Sequence, residues 1–220
     1  MISKSTLDFI GNLKENNNRD WFLDHKDDYE AARENISDFT AAVLKELSQI
    51  DPLVDAHTDP KKCMMRIYRD VRFSKDKTPY KSWFGIHKFS QGRYAGGTGY
   101  YIHIEPGHSF VGGGNWMPEG DHLKAIRQEI DYNAAEFKAI IDAPSFKKVF
   151  GEFRDQEQLK TIPKGYEPDN ENIDLLKLKS FAAMHQISDA DLMKKDVAVR
   201  VGKVFKELYP LLGFIQNALT

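Results

Sequence analysis

A single cysteine, Cys63, is all the thiol chemistry this chain has. An internal disulfide framework is therefore excluded, and no Cys/His cluster has the spacing of a structural zinc site. No apolar run approaches the length of a membrane span, so no membrane partner is expected. Asp8, Asn12 and Lys14 interrupt the opening segment, which denies it the apolar core of a signal peptide. A reducing, cytoplasmic setting is the expectation. Repeats, linkers and low-complexity tracts are missing as well, and so is a GxSxG elbow. Gly112-Gly113-Gly114 lacks the Lys and Ser/Thr of a P-loop and is not in dinucleotide-fingerprint order, so a bulge or a close backbone approach is the simpler reading.

Net charge is also nearly absent, at −2 over 220 residues, but its distribution is uneven. Between Lys61 and Lys88 stand nine basic residues (Lys61, Lys62, Arg66, Arg69, Arg72, Lys75, Lys77, Lys81, Lys88) against Asp70 and Asp76. That window is +7, which leaves −9 for the rest. A mildly acidic chain with one basic segment does not coat polyanions generally, yet it can hold an anion locally. At this length a globule hides roughly 70% of its unfolded surface, so one domain over residues 1–220 needs no staples.

The pattern is α+β: a central, mainly antiparallel sheet packed with N-terminal and C-terminal helices. Leu7, Ile10 and Leu13 recur at helical spacing, Asn18 is placed to cap a second helix, and that helix is expected from about Asp20 to Ile50, where Asp51-Pro52 ends it. Short alternating segments around Met64–Asp70, Trp83–Phe89, Tyr100–Glu105 and Ser109–Gly113 read as strands. Tyr100, Ile102 and Ile104 then face the core, which turns Tyr101, His103 and Glu105 together to the opposite face, with His87 outward on the preceding strand. Helical periodicity returns after Pro118. Lys160–Asn172 is a loop, Phe181–Ile187 one more strand, and a last helix places Val197, Val201, Phe205, Leu208, Leu212 and Ile215 on one face, with a kink expected at Pro210.

Two places could carry chemistry. Guanidinium and ammonium groups suit phosphate or carboxylate, so the candidate ligand-binding residues are Arg66, Arg69, Arg72, Ser74, Lys75, Lys77, Tyr80 and Lys81, joined by Tyr101, Gly113, Gly114 and Trp116. The competing account is that Asp and Glu side chains pair with these cations and pin the segment. The second place is the outward strand face, where His103 and Glu105, with Asp76 from the basic segment, are candidate acid, base or metal-ligand groups. No metal ligands are assigned and no cofactor is identified. The leading expectation is binding of a phosphate-bearing small molecule or nucleotide. The alternatives are a metal-assisted phosphoester hydrolase and a binding module for nucleic acid or an acidic protein, and the oligomeric state is open.

The string Arg66-Ile67-Tyr68-Arg69-Asp70-Val71-Arg72-Phe73-Ser74-Lys75-Asp76-Lys77-Thr78-Pro79-Tyr80-Lys81 resembles the domain-of-unknown-function 2461 family. Gly99 to Gly107, then Gly113, Gly114, Trp116 and Pro118, then Pro163-Lys164-Gly165-Tyr166 and Leu176 to Phe181, come in the family's order. The resemblance runs from about Leu7 to Leu219 and implies a fold and a motif, without a reaction. Asn115 departs from it, standing where a small or apolar residue is expected.

Overall fold

The structure is a computed structural model that describes residues 1–153 and 157–220. Helices α1 (Lys4–Glu15), α2 (Arg19–Asp24) and α3 (Lys26–Leu47) come first, then strands β1 (Phe84–Ile86), β2 (Gly99–Ile104) and β3 (Phe110–Asn115). Helices α4 (Gly120–Tyr132), α5 (Ala134–Ile141), α6 (Pro144–Phe150) and α7 (Ile173–Leu176) precede β4 (Phe181–Gln186). Helices α8 (Asp189–Leu192) and α9 (Val197–Leu219) close the chain. The four strands form one antiparallel sheet in sequence order. The fold is α+β, as the alternation of patterns implies. Among the described residues no helix is long and apolar enough to cross a membrane.

The chain gathers into two compact units built from interleaved segments. Unit 1 comprises Met1–Gln91, Tyr101–Val111 and Gln186–Lys203. Its core joins Leu7, Ile10 and Leu13 of α1 to Ile36, Phe39, Val43 and Leu47 of α3, with Phe84, Ile86, Ile102 and Ile104 from the sheet, all buried. Capping sets the helix starts. Ser3 accepts from Thr6 N and Asn18 from Trp21 N, each satisfying an N–H that has no partner inside its helix.

The single helix expected from Asp20 to Ile50 is two helices, divided at His25. The Trp21 carbonyl accepts the His25 backbone N–H at 3.1 Å, the His25 Nδ1 lies 2.8 Å from the same oxygen, and the imidazole stacks on the Trp21 indole at 4.0 Å. The side chain thereby seals the end of α2 and turns the chain into α3. The strand expected over Met64–Asp70 is also absent: only the bridges Met64↔Ile86 and Tyr68↔Tyr80 form. Side chains occupy backbone groups that a longer ladder would need. Asn17 holds both the N–H and the C=O of Tyr80, and Lys81 holds the carbonyls of Arg66 and Tyr68.

Unit 2 comprises Gly92–Tyr100, Gly112–His185 and Val204–Thr220. Its core includes Ile126, Ile130, Phe137, Phe146, Phe181, Phe205, Leu208, Leu212 and Ile215. Helix α9 runs on through Pro210. The Gly112–Gly114 run is a packing requirement here. A Cβ on Gly112 would stand 2.3 Å from Ala183 O, one on Gly113 2.4 Å from Gly99 O, and one on Gly114, whose φ is +119°, 2.1 Å from Phe181 O. Asn115, the departure from the family pattern, is buried and donates to Gly96 O and Thr98 Oγ1 at 2.8 and 3.1 Å, which ties down the preceding turn.

Candidate functional site

The outward face of β2 carries a continuous hydrogen-bonded chain. Tyr101 Oη lies 3.2 Å from His103 Nδ1, His103 Nε2 lies 3.1 Å from Glu105 Oε2, and Lys14 Nζ from α1 donates to Glu105 Oε1 at 3.0 Å. Strand alternation produces this, because residues 101, 103 and 105 share one face while Tyr100, Ile102 and Ile104 enter the core. An ionised carboxylate only accepts, so in the neutral imidazole Nε2 carries the proton and Nδ1 accepts from the phenol. Burial works to raise the Glu105 carboxyl, but the hydrogen bonds from His103 and Lys14 outweigh it and hold the group below its ordinary value. Burial pushes the Tyr101 phenol up to about 12, so it remains a proton donor at neutral pH.

Aromatic rings enclose the imidazole. Trp83 packs on His103 at 4.8 Å and Phe110 stacks on it at 5.0 Å with an interplanar angle of 12°. The register explains the room: Gly85, not His87, is paired with His103, and a Cβ on Gly85 would sit 2.7 Å from Met65 Sδ, 2.8 Å from the Trp83 ring and 3.0 Å from Tyr101 Oη. His87 lies one residue beyond the last paired residue of β1, on the side of the strand that Gly85 occupies. Among the described residues no three His, Cys, Asp or Glu side chains are grouped as a metal would require.

The basic segment divides into a tip and a root. In the tip, Arg69 Nη1 donates to Asp76 Oδ2 at 2.6 Å and to Thr78 O at 3.1 Å, and also meets Thr78 Oγ1. Arg72 forms a two-pronged pair with Asp70 at 3.0 and 2.7 Å. Lys77 Nζ donates to Val71 O at 2.9 Å. Bonds from the Thr78 backbone and hydroxyl, then from Arg69, hold the Asp76 carboxyl low and tie it into the turn. Ser74 donates its backbone N–H to Val71 O, and Lys75 is exposed. The ion-pair account of the cations thus holds for Arg69 and Arg72.

The root is built differently. Lys81 Nζ donates to Arg66 O at 2.5 Å and to Tyr68 O at 3.1 Å, and stands 5.5 Å from the centre of the Trp83 ring. Burial and the Arg66 guanidinium both push the Lys81 ammonium down from its usual value. Burial, Lys88 and Lys81 do the same to His87. Among the described residues neither Arg66 nor Lys81 forms an ion pair. Tyr80 is buried, stacked on Phe22 at 4.0 Å, and acts as an anchor for the segment.

Of the residues picked from sequence, Tyr101, His103 and Glu105 come together, and Lys81 reaches their edge through Trp83. Gly113, Gly114 and Trp116 belong to unit 2, the first two sealed in β3 and Trp116 65% exposed. Sequence reasoning missed Lys14 and Phe110 as members of the cluster.

These features define an α+β protein with an aromatic-lined phenol–imidazole–carboxylate chain beside a cationic root. The chain belongs to the family described as conserved hypothetical protein (DUF2461), whose model matches residues 5–214. No curated protein and no solved structure matches it.

Proposed function

We propose that the root of the basic segment is an anion site for a phosphate-bearing small molecule or nucleotide, with the Tyr101–His103–Glu105 chain beside it to hold or pass a proton. One observation carries this reading: beside the Arg66 guanidinium the Lys81 ammonium stands 5.5 Å from the centre of the Trp83 ring, with two of its protons on backbone carbonyls and, among the described residues, no carboxylate in an ion pair with it. An oxyanion there relieves the repulsion and takes the Lys81 proton not committed to a carbonyl. The enzymatic form is phosphoester hydrolysis, in which Lys81 and Arg66 oppose developing charge and His103, oriented by Glu105, serves as acid or base. The metal-assisted form has less support, since His103 and Glu105 are joined by no third His, Cys, Asp or Glu side chain among the described residues.

A ligand bound only by the native state raises stability, so urea denaturation tests the site. At matched ionic strength, pyrophosphate should raise the wild-type midpoint and leave Arg66→Ala unmoved. No shift in wild type, or an equal shift in the variant, refutes the proposal. One domain over residues 1–220 and a cytoplasmic setting belong to the same reading. Coincident fluorescence and far-ultraviolet dichroism transitions are the expected signature of the first, and fractionation of cells tests the second.

A further inference from the structure

The tip of the basic segment has features that the anion site does not use. Phe73 is 96% exposed and Tyr68 55% exposed, within a few residues of the exposed cations Arg72, Lys75 and Lys77. This exposure is not slackness. The Arg69–Asp76 pair, the Arg72–Asp70 fork and the Lys77 bond to Val71 O fold the turn onto itself, so the ring is held out by a braced support. The Arg72 guanidinium stands 5.9 Å from the centre of the Phe73 ring, so cation and ring are presented together. Tyr68 leans on Tyr80 at 5.5 Å, which limits its own freedom.

We infer that this tip is a docking surface for single-stranded nucleic acid, with bases stacking on Phe73 and Tyr68 while Arg72, Lys75 and Lys77 meet phosphates. Two rigidly mounted rings among cations suit unpaired bases, because every base offers a π-face and the backbone offers regular negative charge. A duplex hides those faces in its own stack. An anionic lipid surface would answer the charges, but Phe73 is the only fully exposed apolar side chain at the tip, and a single ring offers a bilayer little apolar surface to insert. Charge distribution also confines the contact. The window from Lys61 to Lys88 is +7 and the remainder −9, so a strand is drawn to this segment and repelled elsewhere. The surface is short, which fits a few nucleotides without base-specific readout.

The test is fluorescence anisotropy of a labelled 12-residue oligothymidylate with the full chain at low salt. Wild type should bind, with log K falling against log salt at a slope of about −2, from three phosphates at roughly 0.7 each on a single strand. Phe73→Ala should weaken binding by about tenfold to a hundredfold, the range for one stacked base, and Phe73→Trp should retain it. An abasic oligomer with the same number of phosphates should bind wild type as weakly as the thymidylate binds Phe73→Ala. Because Phe73 packs against so little, an unchanged urea midpoint is expected for Phe73→Ala and shows that the variant folds. Absent binding, full binding by Phe73→Ala, or equal affinity for the abasic strand overturns the inference. Phe73-dependent binding to phosphatidylserine vesicles without oligomer binding overturns it in favour of a lipid surface. Arg66→Ala should leave oligomer binding in place, so this surface and the root site can fail separately.

Discussion

The tip and the root of one basic segment have similar composition and different electrostatics. In the tip, Asp70 and Asp76 stand close enough in sequence to be claimed by Arg72 and Arg69, and the cations become braces. In the root, Lys81 donates to the carbonyls of Arg66 and Tyr68 beside the Arg66 guanidinium, and its charge stands next to the Trp83 ring without an ion-pair partner among the described residues. A count of basic residues cannot separate these cases. What separates them is whether a carboxylate lies within reach of each cation.

The comparison is broken most forcefully from beneath the root. Gly85→Ala places a methyl group against Met65, Trp83 and Tyr101 at 2.7 to 3.0 Å. Overpacking of this kind costs about 1–3 kcal/mol, read as a lower urea midpoint, together with a changed environment for Trp83 in its fluorescence. Next in size is Lys81→Ala, which strands the carbonyls of Arg66 and Tyr68 at a cost of about 1 kcal/mol and should abolish stabilisation by pyrophosphate. Lys77→Ala, in the tip, should keep that stabilisation.

Acid sharpens the contrast. His87 has a folded value below its ordinary one, so the unfolded chain binds more protons in the window between that value and about 6.5. Stability should therefore be unaffected by His87 above pH 6.5 and decline as pH falls through that window. His87→Gln should flatten this part of the urea-midpoint profile. The smallest effect belongs to the tip: Asp70→Asn removes an exposed pair, and its midpoint change should be smaller than that of Lys81→Ala and should shrink further with salt.

The strand alternation that buries Tyr100, Ile102 and Ile104 was enough to bring Tyr101, His103 and Glu105 to one face, because period 2 is a local property of the chain. Asn18 was legible as a cap for the same reason. Register was not. Gly85 pairs with His103, and because a shift of two residues between strands leaves the alternation unchanged, composition could not choose this register. Lys14 reaches Glu105 across 91 residues of sequence, a contact set by how α1 packs in unit 1. The break at His25 was hidden because a helical stripe persists on both sides, while the interruption comes from an imidazole bonding the Trp21 carbonyl. That neither Lys81 nor Arg66 forms an ion pair among the described residues is likewise a tertiary fact, invisible in a window that contains both Asp70 and Asp76.

The central claim is that Lys81 at the root has no ion-pair partner until an anion arrives, and His87, whose imidazole feels Lys81, is the group that reports it. Its imidazole resonances, followed by NMR as a function of pH in wild type, should titrate below the ordinary histidine value and move upward when pyrophosphate is added at constant ionic strength, with Lys81→Ala starting higher and moving less. A His87 that titrates at or above the ordinary value without ligand, or is indifferent to pyrophosphate, would contradict the account.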